Sequence, residues 1–272
     1  MKRTVLLVVL AVGGLSVFGG RAEAGEWRRA VDPSCSGDHF HVNDLVSYAE
    51  IREQRLPSGP ENYINPGANG SIKVHGWNNG DVLVKACIQA AAPSDSEARA
   101  LASQIQIARG SGDIQPNGVS TDDQHHWSLS YEVWVPNGAN VKLAANNGSI
   151  SAEAIQGQLQ FHTSNGSVHL RDIGGDVEGS TTNGSLTVDV ASAGWTGTGL
   201  HVETTNGSVR LNLPETFSAQ VEVSTVNGNV RTDFPVTITG EIKRSLSFQL
   251  GSGGPVIEAK TVNGSVHIAK RT

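Results

Sequence analysis

Asn183-Gly184-Ser185-Leu186-Thr187-Val188 is the stretch on which the fold turns, because close copies of it recur through the second half of the chain. Gly148-Ser149-Ile150-Ser151-Ala152, Gly166-Ser167-Val168-His169-Leu170 and Gly207-Ser208-Val209-Arg210-Leu211 repeat it, each behind an asparagine. The pairs Asn147-Gly148, Asn165-Gly166, Asn183-Gly184, Asn206-Gly207, Asn227-Gly228 and Asn263-Gly264 are spaced 18, 18, 23, 21 and 36 residues apart. A near-constant period of this length marks stacked coils, each too small to bury its own apolar face. Within a repeat, Leu186, Val188 and Val190 alternate with Thr187 and Asp189. The runs before the asparagines alternate in the same way, as at Leu159 and Phe161 or Val221 and Val223. Period-two alternation gives strands with one buried and one wet face. One repeat is therefore two short strands and two tight corners, with Asn and Gly suited to the corner by their tolerance of positive φ.

The same dipeptide closes antiparallel hairpins, so a meander or sandwich competes with the stack. Recurrence of the whole motif at one coil length favours the stack. The expected fold is mainly β, a parallel β-solenoid (β-helix-like) with coils of about 18–23 residues over 137–272. Like residues then lie on like, and the asparagine amides can form a ladder.

The preceding half reads differently. Residues 1–24 form a signal peptide: Lys2 and Arg3, an apolar run from Thr4 to Phe18, and the small-x-small site Ala22-Glu23-Ala24. An uncleaved anchor is the competing reading, but Gly13, Gly14, Gly19 and Gly20 interrupt a run already short for a span. Removal of the leader takes Lys2, Arg3, Arg21 and Glu23, leaving 17 basic and 25 acidic residues and a formal charge of −8. An acidic exported chain with few Lys/Arg clusters is a poor match for nucleic acid. Export also bears on Cys35 and Cys87, for which one disulfide is the default and two free thiols the alternative.

Residues 25–60 read as irregular, with a short helix around Val42 to Gln54 ended by Arg55-Leu56-Pro57-Ser58-Gly59-Pro60. Residues 61–136 read as a hairpin-helix-strand unit that caps the stack. Its hairpin joins Ser71–Trp77 to Val82–Ile88 through Asn78-Asn79-Gly80-Asp81. Its helix starts at the capping box Ser94 to Glu97 and buries Ala98, Leu101, Ala102 and Ile105. Near the other end, Phe234 to Gly254 lengthens one repeat. The last strand, Val266 to Ala269, is expected at the open edge, guarded by Lys270 and Arg271.

Asn69-Gly70-Ser71-Ile72-Lys73-Val74, followed by Gly76-Trp77, the Val82–Ala86 strand and the Ala/Glu-rich helix, resembles the start of the bacterial "putative adhesin" β-strand-repeat domain family of unknown function. Val135-Pro136-Asn137-Gly138 is similar to that family's entry into its repeats, and Thr261-Val262-Asn263-Gly264-Ser265-Val266 to its closing coil. The resemblance covers about residues 64–270 and implies a β-solenoid of exported or envelope-associated proteins. Many relatives carry Ser-Gly-Asp at their corners. The Asn-Gly-Ser corners here argue against acidic, metal-binding ones.

No motif supplies a catalytic or cofactor site. Cys35-Ser36-Gly37-Asp38-His39-Phe40-His41 holds zinc-type ligands, but a second knuckle is absent and Cys35 is better used in a disulfide. Asp122-Asp123-Gln124-His125-His126 reads as a solvated loop. The Asn-Gly-Ser sequons are corners first, since glycans on adjacent coils would crowd one another. His162, His169, His201 and Arg210 alternate with apolar residues and should face outward. With Trp195, as an exposed platform or folded over a coil, they make up a speculative binding face for carbohydrate or protein. Catalysis on polysaccharide would need converging carboxylates in a groove, and the outward charges are scattered. The expected role is an exported, non-catalytic, adhesin-like binding module, periplasmic, cell-surface or secreted, with an envelope protein or surface glycan as partner. The alternatives are a structural or regulatory envelope protein that self-associates end to end through its final coil, and a carbohydrate-active β-helix enzyme.

Overall fold

The computed structural model describes residues 27–30, 35–37, 40–109, 113–117, 119–192, 194–235 and 244–271. The leader, with Asp38 and His39, lies outside them. Among the described residues no helix is long and apolar enough to cross a membrane.

Two sheets face one another across a continuous apolar core. Each coil sends a strand into both. Leu159–Asn165, Asp176–Asn183, Gly199–Asn206 and Val256–Asn263 run parallel in a 10-stranded sheet; Val168–Arg171, Leu186–Asp189, Val209–Leu213 and Val266–Lys270 run parallel in an 11-stranded one. The core is built in columns. Ile72, Ile150, Val168, Leu186, Val209 and Val266 are in register and buried, as are Val74, Ala152, Leu170, Val188, Leu211 and Ile268. Identical spacing along every strand puts each apolar residue on its counterpart about 4.8 Å away. Where Phe161 exceeds its column, the next coil carries Gly179, whose place a Cβ could not take without meeting the Phe161 ring at 2.5 Å.

Apart from Gly70 and Gly264, the corner glycines do not take the positive φ expected from Asn-Gly. Among the described residues only Asn43, Ala154 and Asp172 have positive φ outside glycine, and Gly148, Gly166, Gly184 and Gly207 do not have it either. These glycines are needed for close approach. A Cβ on Gly184 would lie 2.1 Å from the carbonyl oxygen of Gly166, and one on Gly148 would lie 1.9 Å from that of Gly70. The asparagines do form a ladder. Each Nδ2 donates to the Oδ1 of the coil before it, from Asn147 onto Asn69 through Asn165, Asn183, Asn206 and Asn263 to Asn227, at 2.8–3.1 Å.

A second ladder runs inside the first. Thr163, Thr181, Thr204, Thr261 and Thr225 are buried, and each Oγ1 donates to a corner glycine carbonyl at 2.7–2.9 Å. These hydroxyls satisfy carbonyls that the tight corner would otherwise leave unpaired in the core.

The stack departs from sequence order at both ends. Val256–Asn263 lies between Gly199–Asn206 and Ala219–Asn227, and Val266–Lys270 lies between Val209–Leu213 and Val230–Thr232. The last coil is thus interior, and Ala219–Thr232 forms the end. Ser245–Leu250 turns back to pair antiparallel with Ala219–Asn227, so the long 36-residue gap holds a reversal and not a second coil. Lys270 and Arg271 guard no edge; they pair with Glu215 and Asp172. Nor does the stack wait for residue 137: Asn62–Ile64 and Ile72–Trp77 already form its first coil, in register with Val141–Asn147 and Ile150–Glu153.

The expected hairpin is also absent. His126–Pro136 inserts between Ile72–Trp77, to which it is parallel, and Asp81–Ala92, to which it is antiparallel. Val46–Pro57 is a 12-residue strand, not a helix within an irregular segment, and pairs with Asp81–Ala92 along its whole length. Pairing with an otherwise unsatisfied sheet edge overrides local preference there. The helix Asp95–Gln104 does form, capped by Ser94, whose side chain accepts the Glu97 N–H. Arg52 closes its other end, donating to the carbonyls of Ala102 and Ile105 at 2.8 and 2.6 Å.

Candidate functional site

The outward residues singled out in the sequence do not converge. His162 and His201 stand on the 10-stranded sheet, His169 and Arg210 on the 11-stranded one, so they lie on opposite faces. Trp195 is on neither: it is 9% exposed, packs in the core and donates its indole N–H to the Gly175 carbonyl at 2.8 Å. An amphipathic ring in a Gly-rich loop covers the coil end better than it faces water.

On the 10-stranded face, His162 bonds Ser180 at 2.9 Å, while His201 and Lys260 both pair with Glu258. The 11-stranded face is more tightly wired. His169 contacts Asp189 at 2.6 Å, Arg210 donates to Asn212 at 2.9 Å, and His267 joins Arg210 to Asp233. Toward the first coils His75 bridges two carboxylates, Glu153 at 2.7 Å and Glu132 at 3.1 Å, with Lys73 on Glu132 and Arg171 on Glu153. The His75 ring stacks on Trp134 with centroids 5.1 Å apart, and Lys85 lies over that indole.

Next to this network is an open depression of about 620 Å³. Lys73, Lys85, Gln89, Ser130, Glu132 and Ser151 line it, with the Cys35–Cys87 bridge at its edge. The bridge (Cα atoms 5.7 Å apart) and the Gln89 bond to the Ser36 carbonyl hold the N-terminal segment against the outer face of the sheet. Hydroxyl, amide, ammonium and carboxylate groups from four different strands therefore point into one hollow in a rigid frame. Nothing in the linear sequence joins positions 73, 85, 132 and 151; only the register of four strands does. With Cys35 in a disulfide, it is not available as a metal ligand. Among the described residues no group of three or more His, Cys, Asp or Glu side chains is placed to hold a metal ion.

The paired carboxylates set a pH dependence. Arg171 and His75 hold Glu153 below the usual carboxylate range against the opposing effect of burial. At Asp189 and Glu258 burial pushes upward, but hydrogen bonds outweigh it: His169 and Asn212 at the first, Lys260 and His201 at the second. A depressed folded-state value stabilises the fold above the unfolded value near 4, and that contribution is lost as pH falls through the folded value. We expect the urea midpoint to hold between about pH 7 and 5 and to fall below about pH 4. A midpoint that stays level at pH 3 would contradict this wiring.

No curated protein matches the chain. Among solved structures it is similar to a putative cell adhesion protein from Clostridium sporogenes, with 14% identity and a TM-score of 0.40 over 81% of this chain and 100% of that one. A putative adhesin from Bacteroides fragilis (10%, TM-score 0.35, 82% and 97%) and a putative lipid binding protein from Parabacteroides distasonis (11%, 0.37, 82% and 97%) are similar at the same remove. The family comparison reaches further: the model of the Toastrack DUF4097 family matches residues 58–269, and the chain belongs to that family.

Proposed function

We propose that this protein is an exported, non-catalytic binding module of the cell envelope, adhesin-like in that it holds a surface glycan. The depression beside the disulfide carries this reading. Serine hydroxyls, the Gln89 amide, Lys73, Lys85 and Glu132 supply both donors and acceptors on a backbone frame already fixed by strand pairing. A sugar offers matching hydroxyls along one edge. The stacked coils provide stiffness, and the acidic surface keeps the module from polyanions.

The test is capture from native envelopes by residues 25–272, with glycans and proteins identified separately. The reading expects a glycan captured by the wild type and lost when Ser151→Tyr fills the depression, while His162→Ala on the opposite face leaves capture unchanged. Glycan capture insensitive to Ser151→Tyr, or capture of a protein alone, would overturn it.

A further inference from the structure

Of the seven Asn-Gly corners in the stack, six are sealed by the coil that follows. The Gly70, Gly148, Gly166, Gly184, Gly207 and Gly264 N–H groups each donate to the asparagine carbonyl of the next coil, at 3.0–3.1 Å. The last corner of the stack is Asn227-Gly228, because the chain order places Ala219–Thr232 outside Val256–Lys270. Its Nδ2 donates inward to Asn263 at 2.8 Å. Among the described residues nothing donates to its Oδ1 and nothing accepts the Gly228 N–H. Gly228 is exposed, whereas the other six corner glycines are partly or fully covered.

These differences bear on one reaction. The backbone nitrogen following an asparagine can attack the side-chain Cγ, and a glycine there offers no side chain to obstruct the approach. In a sealed corner the attacking N–H is committed to a carbonyl, and at every such corner but the first, Asn69, the Asn amide is held from both sides. At Asn227 neither holds. We propose that Asn227 is the deamidation site of the stack. The Gly228 nitrogen gives its proton to solvent base and bonds to Cγ, and Nδ2 leaves as ammonia to form a cyclic imide. Water then opens the imide at either carbonyl, leaving aspartate or isoaspartate. One water is consumed and one ammonia released, with no change of oxidation state. The product puts a carboxylate at the end of an otherwise neutral amide ladder.

Asn79-Gly80, in an exposed loop outside the ladder where a Cβ on Gly80 would touch nothing, serves as an unsealed reference. The folded protein is incubated at mildly alkaline pH and the peptides are followed by mass spectrometry for conversion at each asparagine. Asn227 should convert within a few-fold of Asn79 and at least about tenfold faster than Asn183, the factor for one net hydrogen bond lost on ring closure. In urea, all seven corners should converge on one rate. Asn227 as slow as Asn183 in the folded protein would overturn the proposal. So would Asn183 converting as fast as Asn227, or a spread of rates that persists unchanged in urea.

Discussion

Gly184→Ala is expected to cost about 4 kcal/mol or more, a large share of the total stability of a domain this size. The added methyl would sit 2.1 Å from the Gly166 carbonyl oxygen and 2.5 Å from its carbon, both backbone atoms fixed by the coil below. Rotamer change offers no relief, since Cβ has none. The coils must part, and parting them breaks the Asn183 amide bond to Asn165, the Thr181 hydroxyl bond to the Gly166 carbonyl and the Gly166 N–H bond to the Asn183 carbonyl together. The comparison that isolates this cause is Gly80→Ala, where nothing lies within 4 Å and no change beyond about 0.5 kcal/mol is expected. Urea denaturation of the two variants side by side reads the difference. Equal midpoints would mean that the corner glycines serve some other purpose than close approach.

Arg52→Ala should cost about 3–5 kcal/mol for an electrostatic reason. The Glu50 side chain is 8% exposed and Arg52 15% exposed, so the guanidinium is the close counter-charge of a carboxylate nearly removed from water. Arg29 also reaches Glu50, but its side chain is 80% exposed and its pairing is correspondingly weak. The same guanidinium donates to two carbonyls at the end of Asp95–Gln104, where the helix dipole favours positive charge. Deleting the cation therefore strands a buried charge and uncaps a helix. Adding Glu50→Ala to Arg52→Ala removes the stranded charge and should regain part of the loss. If Arg52→Ala alone is within about 0.5 kcal/mol of wild type, the pair is not the structural element described here.

The alternation of apolar residues and the repeat of Asn-Gly-Ser carried the stack, the strand faces and the amide ladder, because each depends only on local period. The threonine ladder was equally visible as Thr two positions before Asn at 163, 181, 204, 225 and 261, yet the period shows only which face such a residue is on, not that its hydroxyl pairs with a corner carbonyl. Which strand lies beside which was not legible. His126–Pro136 between Ile72–Trp77 and Asp81–Ala92, and the last coil between two earlier ones, are choices among partners with near-identical edges. The Asn78–Asp81 turn signal was sound chemistry for a reversal of direction but said nothing about a third strand entering the gap. The candidate depression was hidden for the same reason, since Lys73, Lys85, Glu132 and Ser151 meet only after those choices are made. Trp195 has two readings in the sequence, an exposed platform and a ring folded over a coil, because a Gly-rich loop permits both; the side chain takes the second and fills the core.

The out-of-order coil has a consequence for how the chain is assembled. During synthesis, residues 219–232 emerge before 256–270, yet the surface they rest on in the finished molecule is made by those later residues. Gly199–Asn206 and Val209–Leu213 present an open growing edge with the same Asn-Gly-Ser signature, on which the earlier segment can settle in nearly the right register. A chain settled in that way would have to release the edge again to admit residues 256–270. Pairing between segments so far apart in the chain is slow to form. The molecule is thus locked by its carboxyl-terminal residues, and a chain that loses them retains every repeat but the keystone.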